Sequence, residues 1–482
     1  MWNGATPGNC RKFKMSRIVI FLSAFLILTS SLPAEPDRPN LVLILTDDMG
    51  YADLPAFGES EIPTPNLDRL CREGVKLTNA YVSAPICVPS RMGLLTGRYQ
   101  QRFGIYNNVY SPEQNRLWVQ ETTLADALKA AGYRTGLVGK WHLSGNSGVE
   151  HLPPPHKRGF DEFVGHGGGM GPFWKGSPLL RLVNEKYEPF EAPEYVTDFF
   201  GREAEAFVER HQDHPFFLYL AFNAPHAPLH GLDDDQAAID ADWISPDRRI
   251  YDAMVHAVDR NVGRVMKSLE KHGLAENTLV VFLNDNGGGG NNAADHTRNT
   301  ARNVPLRGHK FDVLEGGIRV PMIVRWPGKL PAGKTFNGLS SSLDVFPTML
   351  AAARVAHPKE RHCDGVDLIP FLDGKVPGDP QTFLCWQQKQ WARPNERKAA
   401  ESGRLHQFAI RSGYWKALKF DQTPTGSPNR AWELYDLRRD PGELQDVATE
   451  YPETVEKLAQ TFTAWQQDMH PEIPPPQKPP KD

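Results

Sequence analysis

Short apolar runs recur along the chain, and each one stops at residues that can bind or react. Leu41–Leu45 runs into Thr46-Asp47-Asp48, Thr135–Val138 into Gly139-Lys140-Trp141-His142, Phe216–Phe222 into Asn223-Ala224-Pro225-His226, and Leu279–Leu283 into Asn284-Asp285-Asn286. Runs of this length predict strands. Helical patterns with legible ends lie between them: Thr64-Pro65 opens one that Gly74 closes, Thr123 one that Gly132 closes, and Ser245-Pro246 a long one that Gly273 closes. In the last, Ile250, Met254, Val258, Val262, Met266 and Leu269 form one apolar stripe. Alternation of this kind predicts an α/β fold, a large mixed, mostly parallel sheet sandwiched between helices. Ligands of such folds gather outside the carboxyl ends of the strands, so the polar tails are expected to share one rim.

The texture changes near residue 355. Gln407–Arg411, Trp415–Phe420 and Trp432–Leu437 read as short strands and Pro452 to about Met469 as a helix, which predicts a smaller C-terminal α+β domain. The expected division is 1–34 leader, 35–355 main domain, 356–470 C-terminal domain, and a Pro/Lys-rich disordered tail at 471–482. The leader assignment rests on Arg11, Lys12, Lys14 and Arg17 ahead of the apolar run Ile18–Leu28 and the small residues Thr29, Ser30, Ser31 and Ala34. That is a secretory signal pattern, with Met15 an alternative start, and the run is short of the roughly 20 apolar residues of a spanning helix. The mature protein is thus expected to be exported, periplasmic or secreted, with no membrane contact after cleavage.

With 482 residues, 40% hydrophobic and 23% charged, the chain has ample material for packed cores. Its net charge is -4 and no long single-sign run exists, which argues against a nucleic-acid partner. Of five cysteines, Cys10 leaves with the leader, Cys71 lies in a predicted helix, and Cys363 and Cys385 could pair. Cys87 is left over, and an unpaired thiol in an exported protein needs an explanation.

Asp47 and Asp48 stand side by side after a strand, where like charges repel unless a cation lies between them. Asp285 and Asn286 offer a second oxygen pair. Four such ligands suit Ca²⁺, or less well Mg²⁺, better than zinc. Cys87 begins Cys87-Val88-Pro89-Ser90-Arg91, followed by Leu94-Leu95-Thr96-Gly97-Arg98. Pro89 and Ser90 suit a first helical turn and Gly97 its end, so Cys87 is expected at a helix N-terminus, where backbone N–H groups favour an anion. Singly, Lys140 and Lys310 read as surface charges, His142 and His226 as hydrogen-bonded structural histidines, Arg91 as a carboxylate partner, and Gly167–Gly169 and Gly287–Gly290 as flexible loops.

Taken together, Cys-x-Pro-x-Arg and Leu-Thr-Gly-Arg resemble the signature of the sulfatase family, of arylsulfatase or N-acetylgalactosamine-6-sulfatase type and with the alkaline-phosphatase-like fold. The resemblance extends through Pro39-Asn40 with Asp47-Asp48, Gly139-Lys140-Trp141-His142, Ala224-Pro225-His226-Ala227-Pro228, Asp285-Asn286-Gly287, Leu306-Arg307-Gly308-His309-Lys310, Glu315–Pro321, and Leu434–Leu437 with Asp440-Pro441-Gly442-Glu443. One departure is His166-Gly167-Gly168-Gly169, where many relatives carry a sulfate-contacting hydroxyl. The resemblance implies that Cys87 is oxidised to formylglycine by a maturation enzyme, and that Asp47, Asp48, Asp285, Asn286 and the modified residue 87 hold the metal. It further implies that the hydrated aldehyde attacks sulfur and that Lys140 and Lys310 neutralise the sulfate oxygens. His226 or Lys310 protonates the leaving oxygen, His142 acts as base when sulfate is expelled, and Arg91 holds the modified residue.

The expected substrate is a sulfated carbohydrate or aryl sulfate, recognised through Gly167–Lys186, Gly231–Trp243 and the C-terminal domain; Phe173-Trp174 and Trp386–Trp391 are candidates for stacking on sugar rings. The rivals are a phosphoesterase or phosphonate hydrolase of the same superfamily, and an inactive relative that binds sulfated glycans.

Overall fold

The computed structural model describes residues 38–108, 120–143, 154–169, 171–292, 297–298, 300–358, 361–389, 406–421 and 431–469. The leader and the tail predicted from the sequence lie outside them, as does Trp391.

The main sheet contains β1 (Asn40–Thr46), β2 (Val75–Tyr81), β3 (Arg134–Lys140), β4 (Glu162–His166), β5 (Pro178–Val183), β6 (Lys186–Glu191), β7 (Phe216–Ala221) and β8 (Thr278–Asn284). After the short β9 (Asn291–Asn292) and β10 (Thr297–Arg298) pair, β11 (Arg319–Arg325), β12 (Lys334–Phe336) and β13 (Ser340–Ser341) complete it. Its order is β12-β2-β11-β8-β1-β7-β3-β4-β5-β6, with β13 also on β2. The five central strands, β8-β1-β7-β3-β4, are mutually parallel. The flanking β11, β5 and β6 run antiparallel to their neighbours.

Apolar side chains leave both faces of these central strands. Leu41, Leu43, Leu45, Phe217 and Tyr219 pack on one side with the helices Cys87–Thr96, Leu124–Ala130 and Val345–Ala352. Val42, Ile44, Leu218 and Leu220 pack on the other with Val196–Arg210 and Pro246–Lys271. Two buried faces explain why the strands read as unbroken apolar runs instead of alternating ones. The sandwich predicted from the sequence is therefore observed.

A second sheet, β14 (Leu384–Lys389), β15 (His406–Ser412), β16 (Trp415–Asp421) and β17 (Glu433–Asp436), is an antiparallel meander. Leu458, Phe462, Trp465 and Met469 of the helix Pro452–Met469 cover one face of it. Trp386, Ala409 and Leu418 pack against Tyr81, Val82, Ile318 and Val320 of the main body.

Two expectations are corrected. Cys363 and Cys385 are both free thiols: Cys385 is buried in the core beneath the C-terminal helix, whereas the Cys363 Sγ lies 3.4 Å from the Gly97 carbonyl. Trp386 and Phe173 are each 1% exposed, and the Trp386 indole N–H donates to the Val82 carbonyl at 2.7 Å. Both rings serve packing and neither is open to a ligand. Among the described residues no helix is long and apolar enough to cross a membrane.

Candidate active site at the carboxyl edge of the sheet

Parallel pairing brings the polar tails together. Backbone bonding continues past the strand ends: Asp285 N–H donates to Thr46 O (3.0 Å), Asp47 N–H to Ala224 O (3.2 Å), Phe222 N–H to Leu45 O (2.9 Å) and Trp141 N–H to His166 O (2.9 Å). The Asn284 side chain accepts from Thr46 Oγ1 and donates to Met49 O at 2.7 Å, which locks the ends of β1 and β8. Asp47, Asp285, His142 and the His226 turn are thus carried on the last rungs of one ladder. Asp48 (φ 64°) and His142 (φ 54°) hold left-handed backbone conformations that cost non-glycine residues of order 1–3 kcal/mol, strain that is usually found at functional sites.

Cys87 opens the helix Cys87–Thr96, which Gly97 ends at φ 66°, as its sequence context predicts. Its Sγ lies 3.9 Å from Asp47 Oδ1. Ligand atoms of Asp47, Cys87 and Asp285 lie within 4.8 Å of one another, as do those of Asp47, Asp48 and His226, and every member of both triads is buried. Burial pushes the Cys87 thiol up to about 12, so the unmodified side chain is a neutral thiol at physiological pH.

Cations surround the acids. Lys140 Nζ donates to Asp47 Oδ2, and Lys310 Nζ to Asp48 Oδ2 at 2.8 Å. Arg91, fully buried one turn beyond Cys87, donates from Nε to Asp285 Oδ2 at 2.9 Å and from Nη1 to the Lys140 carbonyl at 3.0 Å; its Nη2 lies 3.8 Å from Asp47. Its contacts thus go to the acid cluster and the Lys140 backbone.

Burial alone would raise the Asp47 carboxyl, but Lys140, His226, Arg91 and Lys310 outweigh it and hold the group far below the usual carboxylate range. Asp285 goes the other way: burial, and then the Asp47 charge, push it up to about 7 despite Arg91. Burial and Lys310 lower His226. Its Nδ1 is 2.7 Å from the Ala227 carbonyl, which assigns the proton to Nδ1 and leaves Nε2 to face Lys310 Nζ at 3.2 Å.

The acids fit a hard divalent cation. Asp285 Oδ1 and Asn286 Oδ1 are buried with no hydrogen-bond partner among the described residues, and Asn286 Nδ2 turns to Asp48 Oδ1 at 2.8 Å. Buried oxygens without partners are costly, and a cation held by Asp47, Asp48, Asp285 and Asn286 would satisfy them.

Gly287–Gly288 is not the flexible loop that its composition suggests. Gly287 N–H donates to Gly317 O at 3.0 Å, and a Cβ at Gly287 would lie 1.9 Å from Gly316 O. Only glycine permits that approach of two backbones.

Sequence reasoning assigned no role to two buried polar residues at this edge. His166, the register partner of Lys140, has an Nε2 with no hydrogen-bond partner among the described residues, and burial lowers its pKa to about 4. Asn223, just beyond β7, has no hydrogen-bond partner for either side-chain amide atom among the described residues. Their signal was the one that marked the others, a polar residue at the end of an apolar strand.

The second sheet reaches the site through the segment carrying Lys310. Lys416 Nζ lies 2.9 Å from Glu315 Oε1 and 2.7 Å from Glu443 Oε1, all three residues being fully buried. Glu443 also accepts from Glu315 N–H at 2.9 Å, and Arg307 donates to the Glu443 carbonyl. Lys416→Met would remove the cation that Glu315 and Glu443 share, leaving Glu315 with Arg319 at 3.5 Å and the Tyr81 hydroxyl at 2.6 Å, with an expected loss of about 3–5 kcal/mol in denaturant unfolding. A loss below about 1 kcal/mol would contradict the clamp.

The comparisons agree with this geometry. Residues 39–355 match the Sulfatase family, and residues 309–468 match the family described as N-sulphoglucosamine sulphohydrolase, C-terminal. The chain is 33% identical over 479 residues to the N-acetylgalactosamine-6-sulfatase of Sus scrofa, covering 90% of this chain and 87% of that one. It is 33% identical over 472 residues to Homo sapiens arylsulfatase A, covering 88% and 86%. The solved structure of Ps i-CgsB in complex with k-i-k-neocarrahexaose superposes with a TM-score of 0.78 at 33% identity, covering 90% of this chain and 94% of that one. With matches across both sheets and the cysteine set among the strand-end acids, the chain belongs to the sulfatase family of sulfate ester hydrolases.

Proposed function

We propose that this sulfatase acts on a sulfated carbohydrate in an exported compartment, after a maturation enzyme has oxidised Cys87 to formylglycine, and that it uses Ca²⁺ or a similar cation. The observation that carries the reading is the placement of Cys87 at a helix N-terminus with its Sγ among the Asp47 and Asp285 oxygens. The neocarrahexaose in the Ps i-CgsB complex supports the substrate class, and the basic, then apolar N-terminus supports export.

The aldehyde hydrate would supply the attacking hydroxyl, and the cation would make it more acidic. The residues of the chain do the rest. Lys140 and Lys310 neutralise charge on the sulfate oxygens. Lys310 and His226 form one proton-handling pair for the leaving oxygen, since His226 Nε2 faces the Lys310 ammonium. A ring nitrogen of His142 accepts the proton released as sulfate leaves. Arg91 fixes the Asp285 carboxylate and the Lys140 backbone, and thereby the distance between the acids and the cationic sulfate site.

Steady-state assays of the matured protein on 4-nitrophenyl sulfate and 4-nitrophenyl phosphate test the reaction class. The sulfate ester should be hydrolysed with the higher kcat/KM by at least about tenfold, a gap of about 1.4 kcal/mol in transition-state binding. A preference for phosphate would favour the phosphoesterase reading.

A further inference from the structure

Trp174 lies between the Gly167–Gly169 turn and β5, and 43% of it is exposed. It is nevertheless held in place. The His230 ring stacks on it with centroids 5.2 Å apart and planes 27° apart, and the Tyr195 ring lies 5.9 Å away. Tyr195 Oη donates to the His230 carbonyl at 2.7 Å, Phe173 N–H donates to His230 Nδ1 at 3.4 Å, and Ser177 Oγ donates to the Trp174 carbonyl at 2.6 Å. An Nδ1 that accepts a backbone N–H carries no proton, so His230 is the neutral tautomer with its proton on Nε2. The indole is therefore held against a histidine while the residue remains exposed.

Both halves of this stack join the catalytic edge directly. His230 is four residues beyond His226, a span of at most about 14 Å. Trp174 is three residues beyond Gly171, where a Cβ would lie 2.7 Å from the His166 ring, and His166 is the register partner of Lys140. Chain connectivity thus tethers both halves of the stack close to the strand ends that carry His226 and Lys140. A sugar ring offers a flat face of C–H groups with slight positive charge, which complements the negative face of an indole. Of the aromatic residues named from sequence as sugar-stacking candidates, Trp174 is the described one that stays exposed, since Phe173 and Trp386 are buried.

We infer that Trp174, braced by His230 and Tyr195, is a subsite that stacks a sugar ring neighbouring the sulfated unit of an oligosaccharide. The inference rests on the reading of the protein as a carbohydrate sulfatase. It goes further in naming the residue that distinguishes an oligosaccharide from a bare sulfate ester.

The test compares kcat/KM on 4-nitrophenyl sulfate, which has no neighbouring sugar, with kcat/KM on carrageenan, chondroitin sulfate and heparan sulfate hexasaccharides. Matured, calcium-loaded wild type, Trp174→Ala and Trp174→Phe are assayed. The wild type should desulfate at least one hexasaccharide. In Trp174→Ala the ratio of hexasaccharide to aryl sulfate kcat/KM should fall about tenfold, mainly through KM, while Trp174→Phe keeps most of it. A ratio within about twofold of wild type in Trp174→Ala would overturn the subsite, as would a wild type that cleaves the aryl sulfate but no hexasaccharide. A wild type inert on every substrate would overturn the sulfatase reading itself, and the subsite with it.

Discussion

Cys87→Ser, expressed with the maturation machinery that serves the wild type, should lose sulfatase turnover by on the order of 10⁴-fold or more while folding normally. Serine fills nearly the same volume at the start of the helix Cys87–Thr96, so stability should change by less than about 1 kcal/mol. The chemistry should not survive. Burial holds the native thiol protonated, with its pKa pushed up to about 12, so an unmodified side chain is a poor nucleophile and a poor cation ligand. The proposed oxidation of the side chain would resolve this. An aldehyde carbon is electrophilic and takes up water, which would place a hydroxyl where the helix N-terminus, Lys140 and Lys310 favour developing negative charge. Serine has no thiol to be oxidised. Kinetics on 4-nitrophenyl sulfate, with circular dichroism as the folding control, check the prediction; a Cys87→Ser enzyme within about tenfold of wild type would remove the aldehyde from the account.

Asp285→Ala should lower kcat/KM by about 100-fold or more and weaken calcium binding in parallel. The carboxylate does two jobs that alanine cannot: it offers a buried Oδ1 with no protein partner among the described residues, and it takes the Arg91 Nε donor at 2.9 Å. Its ionisation gives the metal site a pH dependence whose sign follows from the shift. Burial and the Asp47 charge raise Asp285 to about 7 in the cation-free fold, above its ordinary 3.8. Between those values the folded protein binds more protons than the unfolded chain, so this group's contribution to stability falls as pH rises toward about 7. A cation reverses the balance, because it binds the ionised form. Calcium affinity should therefore weaken as pH falls from about 8 to about 6, with protons released on binding near neutrality. Titration calorimetry in buffers of different ionisation enthalpy reads both effects. Affinity independent of pH, or unaltered by Asp285→Ala, would contradict the assignment.

The most legible part of the fold was the central strands, because their signal is local. Leu41–Leu45 and Leu279–Leu283 are apolar at every position since both sheet faces are covered, and the change to Asp47 and Asp285 marks where that cover stops. Parallel topology then made neighbours of residues far apart in the chain, and the clustering of Asp47, Asp48, Cys87, His226 and Asp285 was readable from strand ends plus the Cys87 context. Features that depend on tertiary packing were not legible. Gly287 read as part of a flexible loop because a sequence does not reveal that Gly316 passes against it. The cluster of Glu315, Lys416 and Glu443 had no sequence signal, because its members become mutual partners only when two sheets meet. Cys363 and Cys385 were a plausible pair by separation, but one points into the core beneath the C-terminal helix and the other toward the Gly97 turn. Trp174 and Phe173 are adjacent and chemically similar, and packing alone decides that one is exposed and the other buried.

Mass spectrometry of the peptide spanning Cys87, taken from a preparation shown in the same experiment to hydrolyse a sulfate ester, tests the central claim most directly. The account predicts that the active fraction carries an aldehyde at position 87, seen as loss of the thiol sulfur and as reaction with a hydrazine probe. An active preparation in which that peptide carries only an intact cysteine thiol would contradict it.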